Sequence, residues 1–111
     1  MARSLEVGTP TQNERESRTI MDALSGRVVG EKTFKILKDQ DVKAVTVSDR
    51  EAVAGVLAGF RHFRLVLEPG GAAALSALIT SKVTLQGKRI VVVCSGGNVD
   101  SERFFELISR A

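Results

Sequence analysis

Tryptophan and tyrosine are absent, and five phenylalanines are the only aromatic residues. The interior must therefore be built mainly from Val, Leu, Ile and Ala. Without aromatic platforms, a surface that stacks nucleic-acid bases is not expected. There is a single cysteine, Cys94, so no disulfide can form within the chain. Its apolar flanks predict a buried, reduced thiol. One histidine and one cysteine cannot build a typical zinc site. His62 stands in Arg61-His62-Phe63-Arg64, where the pattern predicts a solvated helix end and offers no Ser-His-Asp arrangement. No run approaches the roughly 18 apolar residues of a membrane span. The N-terminus is charged and rich in Thr, Gln and Asn, unlike a signal peptide. A cytoplasmic setting is the expectation, with neither membrane nor nucleic acid as partner. Charge of one sign is also lacking: 16 basic against 13 acidic residues leave a net +3. The first forty residues hold only Gly8, Gly26 and Gly30, widely spaced, so the early phosphate turn of a nucleotide-binding or flavodoxin-like domain is missing.

The 111 residues suit one domain, and 43% of them are hydrophobic, enough for a core. Residues 1–18, with Gly8, Pro10 and the polar run Thr11 to Ser17, show no periodicity and predict a flexible segment. The domain proper is expected over 19–111. It opens on a short apolar patch, Thr19 to Leu24. Glu31 to Lys38 fits a short helix with Phe34 and Leu37 on one side. Val42 to Val47 alternates and is rich in β-branched residues, which predicts a strand. Ser48 is a good N-cap with Glu51 at the capping-box spacing. Ala52, Val53, Val56, Leu57 and Phe60 then follow at helical spacing. Gly55 and Gly59 cost that helix about 1 kcal/mol each relative to Ala, and would allow close packing of a neighbour.

Leu65 to Leu67 is a short extended run. Pro69 suits the first position of the next helix, where its missing N–H does no harm. Ala72 to Ile79 is apolar nearly all round and must be covered on several sides. Ile90 to Cys94 is a continuous apolar run, the pattern of a strand buried on both faces of a parallel sheet. Asp100 can cap a last helix with Phe104, Phe105, Ile108 and Ala111 on one face. The alternation of helical and extended segments predicts an α/β fold with a small parallel sheet.

Two segments can carry chemistry. Ser95-Gly96-Gly97-Asn98 ends the Val-rich run, where open parallel sheets gather ligands. The glycines let backbone approach a ligand, and Ser95 and Asn98 add a hydroxyl and an amide. Spacing alone allows equally a tight strand-to-helix turn whose glycines serve geometry. Glu68-Pro69-Gly70-Gly71-Ala72-Ala73-Ala74 places small residues at a helix start, where backbone N–H groups favour an anion. There Glu68 either complements the helix dipole or faces a ligand.

Together these segments resemble the threonine/serine dehydratase and serine racemase family of fold-type II pyridoxal-phosphate enzymes, whose pattern reads EPSGAAA, a gap, and a valine-rich strand ending SGGNVD. Thr19-Ile20-Met21-Asp22-Ala23-Leu24 resembles the family's TIADGL, and Ala44 to Asp49 its VTVSD-like strand. Order and approximate spacing hold from Thr19 to Leu107. The resemblance implies a small α/β unit within a tryptophan synthase β-like architecture. It implies pyridoxal phosphate as cofactor, with Ser95 hydrogen-bonding the pyridine nitrogen. Gly96, Gly97 and Asn98 would shape the pocket, and Glu68 would lie near the ring. Two departures stand out: Gly70 replaces the family serine, and Ala23 the glycine of its Asp-Gly pair.

The family's Schiff-base lysine and its glycine-rich phosphate loop both precede the matched region. Lys32, Lys35, Lys38, Lys43, Lys82 and Lys88 do not sit in the family's lysine motif. No catalytic residue is therefore assigned, and this chain alone is not expected to bind the cofactor. The expectation is a C-terminal portion of a lyase-like enzyme, completed by a second polypeptide carrying the catalytic half. The alternative is a stand-alone, non-catalytic domain, with homo-oligomerisation expected because apolar faces would otherwise be left bare.

Overall fold

A computed structural model describes residues 1–13, 18–87 and 89–109. Its elements are α1 (Ala2–Val7), a single 3-10 turn (Asp22–Leu24), α2 (Glu31–Asp39), α3 (Asp49–Phe63), α4 (Ala73–Ile79) and α5 (Ser101–Ser109). Among the described residues no helix is long and apolar enough to cross a membrane.

α3 begins as its sequence dictates. The Ser48 side chain accepts from the Glu51 backbone N–H, and the Glu51 carboxylate accepts from the Ser48 N–H at 2.7 Å. That backbone bond, seconded by Lys82 at 3.0 Å, holds the Glu51 carboxyl below its ordinary range. A carboxyl held down in the folded state stabilises it above the ordinary glutamate value, and the contribution fades as pH falls through the lowered one.

Ala52, Gly55, Val56 and Gly59 are the buried positions of α3. They meet α4, and glycine is needed there for close approach. A Cβ on Gly55 would collide with the Ser76 hydroxyl, and one on Gly59 would come within 2.8 Å of Leu67 Cδ1. Ser76 is fully buried and satisfied, its hydroxyl donating to the Ala72 carbonyl at 2.8 Å. Val56, Leu67, Ala72, Leu75 and Phe104 form the core, with Val92, Cys94 and Val99 packed against it. The Phe60 and Phe104 rings meet edge to face at 5.3 Å between centroids. Burial of each large side chain stabilises by about 1.5–3 kcal/mol.

Several expectations are corrected. Residues 2–7 are helical, although the sequence shows no periodicity there. Gly8 ends this helix in the left-handed region, and tertiary bonds hold it: Thr11 N–H to the Ser4 hydroxyl at 3.0 Å, and Lys38 to the Gly8 carbonyl at 2.8 Å. Residues 14–17 of the segment expected to be flexible lie outside the described residues. α4 starts at Ala73, so Pro69 belongs to the preceding turn. On α5, Phe104 and Leu107 are buried but Phe105 is 61% exposed, because only the 104–107–108 arc faces α3. Ala111 lies outside the described residues.

The parallel sheet is the largest correction: no strand is formed among the described residues. The three segments expected to be extended carry no regular secondary structure. Among the described residues, 43–47 and 90–94 make no backbone hydrogen bond, and the runs around 66 and 96 touch mainly through Glu68 N–H to the Gly96 carbonyl at 3.0 Å. A ladder needs consecutive bonds to a neighbouring strand, and among the described residues none of these runs has such a neighbour.

The run expected to be buried on both faces is covered on one. Val92 and Cys94 are half-buried, whereas Val91 is 92% and Val93 67% exposed. Extended backbone turns successive side chains to opposite sides. Ser95, also exposed, therefore shares the open side with Val91 and Val93.

Candidate cofactor-binding site

The two chemically suggestive segments, 27 positions apart at Glu68 and Ser95, meet backbone to backbone. Glu68 N–H donates to the Gly96 carbonyl at 3.0 Å, and Ser95 N–H to the Gly71 carbonyl at 3.3 Å. Only glycine permits this contact. A Cβ on Gly71 would collide with the Gly96 carbonyl oxygen and stand 2.7 Å from its nitrogen. A Cβ on Gly96 would collide with the Glu68 carboxylate, and one on Gly97 would lie 2.5 Å from the Val66 carbonyl. Glu68 is half-buried, its carboxylate laid against Gly96. Gly96 thus serves packing against Glu68, while Gly97 is exposed.

Ser95 and Asn98 are exposed, and neither side chain has a hydrogen-bond partner among the described residues. Glu68 and Asn98 line a hollow of about 180 Å³ with Ile20, Asp22, Asp100 and Arg103. Ser95 is outside that lining and faces the open side instead. Arg103 is also paired with Glu106 at 2.5 Å. Among the described residues no cluster of potential metal ligands forms. Cys94 is a free, half-buried thiol, less enclosed than its flanks predict. His62 is exposed, as its basic surroundings predict.

Asp49 and Asp22 were not singled out in the sequence. Asp49 is the first residue of α3, where a carboxylate usually serves the helix dipole. Its carboxylate also accepts from the Thr19 hydroxyl and from the Ile20 N–H at 3.3 Å. This clasp across thirty positions places the 19–22 segment at the hollow beside Glu68. A contact of that range leaves no periodic trace in a sequence.

The two departures from the resembled pattern face each other. A Cβ on Gly70 would lie 3.3 Å from the Ala23 Cβ. The methyl at 23 thus narrows the space that a side chain at 70 would fill. Ala23 has no positive φ, so its position does not demand glycine.

Residues 1–96 match the family model described as pyridoxal-phosphate dependent enzyme. The chain belongs to that family. It is 34% identical to serine racemase of Schizosaccharomyces pombe over 93 residues, 84% of this chain and 29% of that protein. It is 30% identical to the biosynthetic L-threonine dehydratase of Lactococcus lactis over 111 residues, 100% of this chain and 26% of the relative. The crystal structure of a T.th. threonine deaminase superposes with a TM-score of 0.78 at 31% identity, covering 89% of this chain and 33% of that one. The chain thus spans about a quarter to a third of the relatives it matches. Its architecture is that of a part of a fold-type II pyridoxal-phosphate enzyme, with the sheet unformed among the described residues.

The donor set fits one end of the cofactor. Ser95 offers a neutral hydroxyl on an open surface, suited to a ring nitrogen. Its neighbours are Gly97 and Asn98, and in the adjoining hollow three carboxylates, Asp22, Glu68 and Asp100, outnumber the one cation, Arg103, which also pairs with Glu106.

Proposed function

We propose that this chain forms the pyridine-ring wall of the cofactor pocket in a threonine/serine dehydratase-like lyase. The observation that carries the reading is the Glu68–Gly96 backbone bond, which stacks the two glycine-bearing segments and leaves Ser95 unpartnered at the open side. Pyridoxal phosphate, when bound, supplies an electron sink for the bond broken at the substrate's α-carbon. The Ser95 hydroxyl holds the ring nitrogen without forcing it to stay protonated, as a carboxylate would. That weaker sink suits β-elimination over transamination. Asn98 and Gly97 bound the ring's slot, and Glu68 fixes the turn through Gly96 and adds negative charge beside it. The lysine and the phosphate-binding loop come from polypeptide outside this sequence. That polypeptide also covers Val91 and Val93, which flank Ser95 on the same side.

The test uses this chain assembled with a lysine-bearing catalytic half of a family member. The assembly is expected to show the absorbance of lysine-bound cofactor and to release ammonia from serine or threonine. Ser95→Ala should lower that activity about 10- to 100-fold, the loss of a ring hydrogen bond of about 1–3 kcal/mol. Unchanged activity in Ser95→Ala would overturn the reading. So would lysine-bound cofactor formed by this chain alone.

A further inference from the structure

The chain exposes more surface than a compact monomer of its mass. A compact monomer of 11.9 kDa exposes about 6,000 Å², whereas this chain exposes 8254 Å². The excess is roughly 2,000 Å², the scale of a protein–protein interface. The open side of the 90–94 run accounts for part of it. A second surface lies along α3. There a shallow hollow of about 470 Å³ is floored by Val53, Ala54, Leu57 and Ala58. Arg50 stands at one end and Arg61 with His62 at the other, and among the described residues no acidic side chain lines it. The stripe runs at helical spacing, and its cations lie about 16 Å apart along the axis.

α5 carries the complement. Its nine residues span about 13 Å. Its solvent side presents Glu102 and Phe105, the latter 61% exposed, while Phe104 and Leu107 face inward. Glu102 and Phe105 are three residues apart and share a face. Laid antiparallel in the hollow, α5 sets Phe105 over Leu57 and Glu102 within reach of Arg61. An antiparallel pair also brings opposite helix-dipole ends together. A large aromatic anchor in an apolar floor with a charged rim is the pattern of an interface hot spot.

We propose that the outer face of α3 is a docking surface for α5 of a second copy of this chain. It does not rest on the cofactor reading, since neither helix face contains Ser95, Glu68 or Asn98. The test is sedimentation equilibrium of the wild-type chain and of Phe105→Glu, Arg61→Glu, Glu102→Arg and the Arg61→Glu/Glu102→Arg swap. Helicity is checked by circular dichroism. All three positions are exposed, so folding is expected to survive. The wild type should self-associate. Each single charge reversal should weaken association about tenfold, and the swap should restore it. Phe105→Glu should weaken it further. Association that ignores Phe105→Glu and Arg61→Glu would place the contact elsewhere and overturn the proposal. A chain that stays monomeric, or self-association that the swap fails to rescue, would also overturn it. Were the chain monomeric until a complementing polypeptide is added, the α3 face would belong to that polypeptide.

Discussion

The helices and the extended runs of this chain obey the same local rules and reach different ends. α3, α4 and α5 satisfy their backbones internally and close a core around Val56, Leu75 and Phe104. The runs at 43–47 and 90–94 have strand composition, yet form no ladder among the described residues. A helix bonds residues four apart. A strand needs another strand, and parallel strands need it across a long crossover. The helical part is thus complete within the chain. The 90–94 run has one side packed and the other bare, and residues 43–46 are exposed throughout.

That contrast can be broken at its strong side first. Phe104→Ala removes the ring that meets Phe60 and fills the core. It should cost about 3–5 kcal/mol, enough to unfold a marginally stable small domain. Thermal unfolding followed by circular dichroism reads it. A loss near zero would show that the helices do not depend on this core.

The junction comes next. Gly71→Ala drives a Cβ into the Gly96 backbone. Overpacking of this kind costs roughly 1–3 kcal/mol. Chemical denaturation reads the stability, and hydrogen exchange at the Ser95 and Glu68 amides reads the stacking. Normal protection at both amides would mean that the two segments are not held together as described.

The bare side gives the smallest effect. Val91→Thr should change the stability of the chain by no more than about 0.5 kcal/mol, because an exposed side chain loses little. The same substitution at Val92 should cost more, because that residue packs against the core. Equal losses at 91 and 92, measured by denaturation, would erase the distinction between the two sides.

The sequence made the helices legible because their signals are local. The Ser48–Glu51 box, the α3 stripe and the Phe34 side of α2 all follow from spacing within a few residues. The candidate site was legible through the order of its motifs, including Glu68 and the Ser95–Asn98 turn. What escaped has a longer range. The Asp49 clasp on Thr19 and Ile20 joins positions thirty apart. Gly96 reads as room for a ligand, yet its missing Cβ makes room for Glu68. The packed helix α1 is held by Lys38 and Thr11, which no periodicity announces. The apolar run Ile90 to Cys94 predicts burial on both faces and is covered on one, since such a run states what a strand can bury but not what is there to bury it.

The alternation at 91–95 has a practical corollary for reporter chemistry. Cys94 is the chain's single thiol and points inward. With that thiol replaced by serine, cysteines engineered at 91 or 93 would be labelled from solvent at nearly unhindered rates. Their shielding, followed one position at a time, would footprint whatever settles on the surface that Ser95 occupies.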